Sequence, residues 1–443
     1  MKKRVAVVGA GIAGLGAAYS LGVRGFEAEV FEREERPGGR MLTDRSVEGF
    51  AVDAGAQFFY DVYENTFRLC RELGIAGRLE KFESPYGVFR DGKIHRLDPP
   101  AKNPLSLFAF GGLSPRAKAK LFRLIPVLAV NYRRLSLNHP ERWERLDRAD
   151  CAAYSLRHLS RELLEYLVQP LISGLCLGEP ERVSAVVMLS GLKFQMLSRL
   201  YALRGGIDVL PRTLAERCRV HYGTPVTRIV LGGGAARGVA VGGDGGARTL
   251  EYDAVVCAVP GDAAPGLIPD APPQILSFLK SVEYSTGIIA AFGLGEKLFK
   301  ETYAVAVPRA SGMSVTALSE NTNKSPSSAP AGKGVALAFL SGRASGEMLD
   351  SHDDAVAAAA LREIAAIIPG APEPVFSRVY RWKPGLVLFN PGYVSEMNRF
   401  RREERNVRGL FFAGDYMMTA SVEGSLTSGL QAAERAEKFL TGT

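Results

Sequence analysis

Cysteine and histidine are both scarce in this chain, and several chemistries go missing with them. The five cysteines, Cys70, Cys151, Cys176, Cys218 and Cys257, are spread through 443 residues without a CxxC pair. The five histidines form no HExxH, so the spacing points to no zinc site and no metal is expected. An odd number of dispersed thiols reads as free cysteine in a reducing, cytoplasmic setting. There is no GxSxG elbow, no Ser-His-Asp order and no Walker loop, which removes the hydrolase and kinase readings. No uncharged apolar run reaches the ~18 residues of a membrane span. The opening, MKKRVAVVGAGIAGLGAAYSLG, has the basic start and apolar stretch of a secretion signal. However, Gly9, Gly11, Gly14 and Gly16 interrupt it, and no convincing cleavage site follows.

What remains is an ordinary globular balance, 47% hydrophobic and 23% charged, enough to build a large core and still line a cavity. The length implies more than one domain. A formal net charge of +8 favours anionic partners such as phosphates or acidic lipid headgroups. Charge alone does not choose among these, and nucleic acid is not an expected partner.

The N-terminal pattern is more informative. Residues 4–8 form a short apolar run of the kind found in buried parallel strands. It flows into GAGIAG, then a helix-like stretch ending near Gly25, then a second strand at 28–31 ending at Glu32. Gly9, Gly11 and Gly14 fit G-x-G-x-x-G. The first permits a tight turn, the second lets a pyrophosphate approach the backbone, and the third lets helix and strand pack closely. The amides of Ile12 and Ala13 open the helix towards phosphate charge. Glu32 lies about 20 residues on, where an acid accepts hydrogen bonds from ribose hydroxyls. Gly38, Gly39 and Arg40 add a flexible turn and a permanent cation suited to a second pyrophosphate contact.

Further along, residues 226–260 alternate short β-like runs with the glycine clusters GGGAARG and GGDGGAR, which reads as a β-meander followed by a buried strand at 254–259. A last strand at 409–412 reaches Gly414 and Asp415, and a closing helix runs from about 424 to 440, with Ser421 as its cap. Two long segments of other composition separate these blocks. The expected fold is α/β: a Rossmann-type dinucleotide domain, with a parallel sheet plus a β-meander, in three segments (1–82, 204–262 and 405–443). An α+β substrate domain is inserted at 83–203 and 263–404.

The run from Val5 to Phe58 closely resembles the flavin-containing amine oxidase superfamily, which includes protoporphyrinogen oxidases and carotenoid desaturases. So do LRGGIDVLPRTLAERCRVHYGTPVTRIV and VRGLFFAGDYMMTASVEGSLTSGLQAAERA. The resemblance implies bound FAD, with Gly39 and Arg40 on the pyrophosphate and Gly55, Ala56, Gln57 and Phe58 near the flavin. It also places the backbone of Val226 at the adenine and Gly414 and Asp415 at pyrophosphate and ribitol. Glu423, Gly424 and Ser425 would present a helix N-terminus to the flavin O2 edge, where a dipole stabilises the charge that reduction creates. No cysteine lies in the flavin-facing segment of the family, so the FAD is expected to be noncovalent.

The family's substrate domain decides the reaction. Many amine oxidases carry a lysine that bridges water to flavin N5, and the matching position here is Ile289, in EYSTGIIAAFGLGEKLF. GEPERVSAVVMLSGLKF followed by LRGGIDVLP looks more like protoporphyrinogen oxidases. Trp382, Tyr393, Gln57 and Ile289 are the substrate-face candidates, with core packing the plainer reading of the two aromatics. No acid–base pair is nominated, because hydride transfer to an oriented flavin can rest on positioning and water exclusion. The expected function is therefore FAD-dependent oxidation of a small, largely apolar substrate, with dioxygen or another carrier as electron acceptor. C–N oxidation, a non-catalytic FAD-binding scaffold and NAD(P)-dependent dehydrogenation are the alternatives.

One stretch bears on substrate delivery. SPRAKAKLFRLIPVLAVNYRRL, starting at Ser114, has a cap and Pro115 in its first turn, and mixes basic with large apolar residues. Peripheral membrane attachment and an ordinary core-facing helix both have that composition. Pro126 is expected to kink or end the helix.

Overall fold

The computed structural model describes residues 2–83, 85–98, 106–242 and 248–442. Most of the glycine cluster GGDGGAR lies outside the described residues.

A five-stranded sheet gathers strands from across the chain. These are β1 (Arg4–Val8), β2 (Glu27–Phe31), β3 (Arg219–His221), β4 (Ala254–Cys257) and β5 (Leu410–Phe412), in the order β3-β2-β1-β4-β5. Every pairing is parallel. β1 reads as an unbroken apolar run because both faces are covered. Val5 and Val7 pack with the helices Ile12–Val23 and Val422–Thr441, while Ala6 and Val8 pack on the side of the meander. That meander is Val226–Gly232, Ala235–Val241 and Arg248–Glu251, antiparallel as its alternating pattern predicts. β3 was not legible, since RVH is three residues long and carries no apolar alternation of its own.

A second sheet of seven strands stands beside the first. Its order is Pro374–Trp382, Gly287–Leu294, Gly334–Leu340, Val315–Glu320, Ala304–Ala306, Tyr86–Arg90 and Lys93–Leu97. The strand Gly287–Leu294 is apolar on both faces and separates two packing environments. Ile288, Ala290, Phe292 and Leu294 pack towards Val356, Ala360 and Ile364 of the helix Asp353–Ile367. Ile289 and Ala291 face the other way, against Phe50 and Val52. Residues 106–197 are largely helical. The Ser114 stretch forms two helices, Pro115–Leu121 and Leu124–Asn131, broken at Phe122 and Arg123, with Pro126 in the first turn of the second. Ser114 caps the first of them through Ala117 N.

Candidate functional site

The glycine loop leaves the C-terminal end of β1 where the sheet order reverses, the position at which parallel α/β sheets present ligand crevices. Gly9 adopts φ +101°, and its N–H donates to the Phe31 carbonyl at 2.8 Å, so the loop turns across the end of β2. A methyl on Gly14 would overlap the Gly9 carbonyl oxygen, which explains the third glycine. A methyl on Gly11 would meet nothing within 4 Å. Gly11 thus opens on a cradle, not on packing. The helix beyond it has no side-chain cap and no acid in its first turn, leaving the Ile12 and Ala13 amides for an outside anion.

Glu32 sits at the end of β2 and braces this loop. Its Oε2 accepts from Ala10 N at 2.6 Å and its Oε1 from Glu34 N at 3.0 Å. The strip that leads to Val226 is tied to the same residue. Glu32 N donates to the His221 carbonyl and Thr224 N to the Glu32 carbonyl. The turn at Gly38 and Gly39 lies directly against the first, with Gly38 N donating to the Ala10 carbonyl at 2.8 Å. Arg40 follows, and its Nη1 donates to Asp415 Oδ2 at 2.8 Å and to the Gly385 carbonyl at 2.6 Å. Burial works against the Arg40 charge, and the neighbouring Asp415 carboxylate more than restores it. Asp415 also accepts from the Tyr284 hydroxyl at 3.1 Å, a partner that no motif signalled. Gly414, at φ +149°, lets the chain turn from β5 into this position.

Residues 53–58 form a turn on the other side of Arg40. Ala56 N donates to the Arg40 carbonyl and Ala54 N to that of Leu42. The Trp382 indole covers the turn, with Nε1 donating to the Ala54 carbonyl at 2.7 Å. The Gln57 amide is turned inwards, with Nε2 donating to the carbonyls of Asp53 and Gly55. Phe58 stacks edge-on to Tyr60, Phe82 and Tyr303. Tyr393 lies in the core, its ring tilted against that of Phe389, and its hydroxyl donates to the Tyr416 carbonyl. Ile289 is buried beside Trp382 and Tyr380.

The helix Val422–Thr441 begins at Ser421, whose Oγ accepts from Gly424 N at 2.9 Å. The Glu423 carboxylate turns away to the helix Glu64–Glu72. There it accepts from Asn65 N, Thr66 N and Thr66 Oγ1. Its carboxylate is therefore engaged, and of the amides beside it Gly424 N is taken by Ser421 Oγ and Ser425 N by the Ser421 carbonyl. Next to this helix start lies an apolar cavity bordered by Tyr60, Tyr63, Trp143, Phe194, Val387 and Phe389 and by Thr419–Ser421. Sequence reasoning did not find Tyr60, Tyr63 or Trp143, which come from separate segments with no shared motif.

An open glycine cradle, uncapped helix amides, a partly buried arginine and a carboxylate at the end of β2 fit a dinucleotide cofactor. Together with the parallel sheet they have the form of a flavin-type oxidoreductase. The model of the flavin-containing amine oxidoreductase family matches residues 12–436, and the chain belongs to that family. It is an FAD-dependent oxidoreductase. It is 22% identical to protoporphyrinogen oxidase 2 of Arabidopsis thaliana, over 99% of this chain and 94% of the relative. It is likewise 22% identical to coproporphyrinogen III oxidase of Bacillus subtilis (strain 168), over 96% of this chain and 94% of the relative. A crystal structure from Exiguobacterium sp. 255-15, provisionally named a protoporphyrinogen oxidase, superimposes with a TM-score of 0.80 at 22% identity, covering 99% of both chains.

Proposed function

We propose that the enzyme oxidises a small, largely apolar substrate in the manner of protoporphyrinogen oxidases and carotenoid desaturases. The observation that carries this reading is the cavity beside Thr419–Ser421. Among the described residues, no Asp, Glu, Lys or Arg borders it. Burial pushes the Tyr60 and Tyr63 hydroxyls and the Cys176 thiol upwards, the last to about 12, so these groups stay neutral. An ammonium substrate entering there would lose its hydration without gaining a counter-charge. The buried indole N–H of Trp143 has no hydrogen-bond partner among the described residues. Bound FAD would supply the chemistry, accepting a hydride at N5 and passing electrons on to dioxygen or another carrier.

The protein's own residues bind and orient. Gly9, Gly11 and Gly14, with the Ile12 and Ala13 amides, would hold the pyrophosphate with Gly39 and Arg40. Glu32 would take the ribose, and Val226 would meet the adenine. Gly414 and Asp415 would meet pyrophosphate and ribitol. The turn Gly55–Phe58 and the start of the closing helix would frame the flavin. Attachment is noncovalent in this reading, because a thiol held neutral by burial is a poor nucleophile. Anaerobic mixing with reduced porphyrins, polyenes and amines tests the substrate class. Bleaching of the flavin by a cyclic or polyene hydrocarbon-like substrate supports it. Bleaching by amines alone overturns it in favour of C–N oxidation, and bleaching by none of them favours a non-catalytic scaffold.

A peripheral membrane contact extends this proposal. Among the described residues no helix is long and apolar enough to cross a membrane. However, Phe122, Ile125, Val130 and Tyr132 are each half or more exposed, while Leu124 and Leu135 of the same stretch are buried. The stretch therefore packs with one side and presents apolar groups on the other. Leu156, Met196 and Leu197 are also exposed, on segments joined to it by Arg123 to the His158 carbonyl and Lys193 to the Tyr132 carbonyl. Arg116, Arg123, Arg133 and Arg134 flank the patch, and each basic group near anionic headgroups contributes about 1 kcal/mol. Co-sedimentation with acidic vesicles should occur at low salt and fall steeply as salt is added. Protein that stays in the supernatant at low salt would leave only the packing role.

A further inference from the structure

Lys324 is completely buried, and neither the glycine motifs nor the cavity uses it. It follows the strand Val315–Glu320 through the short turn Asn321–Asn323, so it belongs to the seven-stranded sheet. Its ammonium crosses to the dinucleotide half and meets three acceptors. These are Asp53 Oδ2 at 2.7 Å, the Gln57 carbonyl at 2.8 Å and Gln57 Oε1 at 3.3 Å. The acceptors are themselves fixed. Asp53 Oδ1 takes the Thr43 hydroxyl at 2.7 Å and Ile207 N at 2.9 Å. Both Gln57 amide hydrogens are spent on the Asp53 and Gly55 carbonyls, at 2.7 and 2.9 Å.

We propose that Lys324 is a positioning residue for FAD, clamping the turn of residues 53–58 between Asp53 and Gln57. The turn is also hydrogen-bonded to the Arg40 backbone through Ala56 N and covered by Trp382. A single buried cation thereby links the seating of the substrate sheet to the turn beside the cofactor. Lys324 is not a reacting amine. Its three N–H bonds meet three protein acceptors, and with no exposed surface it has neither a lone pair nor a hydrogen for water or substrate. A buried cation fully satisfied in this way specifies one arrangement, and removing it alone leaves the Asp53 charge uncompensated.

The readout is the flavin itself, so the test is independent of which substrate the enzyme oxidises. Lys324→Met, Lys324→Arg and the double variant Asp53→Asn/Lys324→Met are purified and titrated with FAD. Their visible spectra and reduction midpoint potentials are then recorded. Lys324→Met is expected to weaken FAD by about tenfold or more and to shift both the long-wavelength band and the potential. Lys324→Arg should restore part of this by keeping the charge. The double variant should regain thermal stability, because no buried charge is left alone, while its band and potential stay displaced. If Lys324→Met does not fold, the double variant decides alone. A folded double variant with wild-type FAD affinity, band position and potential would overturn the proposal.

Discussion

Two helix N-termini are proposed for the FAD site, and they are finished in opposite ways. The helix Ile12–Val23 starts on a bare Gly11, with no side-chain cap and no acid in its first turn. The helix Val422–Thr441 starts on Ser421, which takes its Gly424 amide, and carries Glu423 in its first turn. The first keeps its donors for a ligand with formal negative charge, a pyrophosphate. The second has part of its own dipole answered by a serine and needs only to offer a positive end to charge that develops on reduction. Sequence alone places Gly and Ser at these starts. The difference in what each helix leaves unsatisfied is what supports proposing different partners for them.

Breaking the shared packing should have the largest effect. The two helices lie close enough that a methyl on Gly429 would overlap the Ala13 carbonyl oxygen, just as one on Gly14 would overlap that of Gly9. Neither obstacle is the movable end of a side chain. Gly14→Ala and Gly429→Ala are each expected to destabilise the fold by about 3 kcal/mol, at the upper end of overpacking costs. Thermal or denaturant unfolding of the apoprotein measures this. A loss below ~0.5 kcal/mol in both would mean that the helices separate easily.

Changes that spare packing should separate binding from folding. Gly11→Ala places its methyl in open space, so apoprotein stability should stay within ~0.5 kcal/mol of wild type. FAD affinity should nevertheless fall, because the methyl occupies the approach to the backbone. Glu32→Ala removes charge-assisted acceptors from Ala10 N and Glu34 N along with the ribose contact. It should cost about 1.5–3 kcal/mol of FAD binding. Isothermal titration of apoprotein with FAD distinguishes the two. If Gly11→Ala destabilises the apoprotein while binding FAD normally, the cradle reading is wrong.

This contrast also shows what could be read from the chain. The βαβ opening, the meander, the last strand and the closing helix carry local signatures, namely glycines at fixed offsets and apolar runs bounded by turns, and the structure has them. The rest of the chain has none of this. Its seven-stranded sheet brings Tyr86–Arg90 beside Ala304–Ala306, a pairing across more than 200 residues that no local pattern announces. The site divides along the same line. Gly9, Gly14 and Glu32 were recognisable from motif spacing, and Asp415 only through the family resemblance. Tyr284, Trp143 and Lys324 matter because of where distant segments meet. Gln57 was singled out as a group on the substrate face, and its amide instead holds its own turn together. Ile289, which the resemblance matches to the lysine of many amine oxidases, is buried. Its apolar surroundings of Trp382, Phe339 and Val52 would charge a desolvation cost to any ammonium placed there.

The capped helix yields smaller effects. Ser421→Ala removes the acceptor for Gly424 N and should cost about 1 kcal/mol of stability, the usual worth of a serine cap. The same change on the uncapped helix has no counterpart, since Gly11 contributes no side-chain bond. Unfolding midpoints of the two holoproteins check the value. A shift in flavin potential accompanying Ser421→Ala would show that the start of this helix is also felt by the cofactor.

Glu423 provides the finest test of the comparison, because its carboxyl titrates where the other helix has no acid at all. Burial pushes this carboxyl above the ordinary range, outweighing the bonds it accepts from Asn65 N and Thr66. An acid whose folded value is raised favours the folded state when protonated. Its contribution is therefore fully present below the unfolded value of about 4.3 and is lost as pH rises through the folded one. Glu423→Gln removes the titration and leaves a constant offset from the lost acceptor oxygen. The stability of wild type relative to Glu423→Gln should thus be greatest in acid, decline with rising pH and then level off. Thermal melts of both proteins across the acid-to-neutral range measure the slope. A gap that instead widened with pH would mean that the amides of Glu64–Glu72 stabilise the carboxylate by more than burial costs it. The closing helix would then begin with a stabilised negative charge, and its positive end would be largely answered before any cofactor arrived.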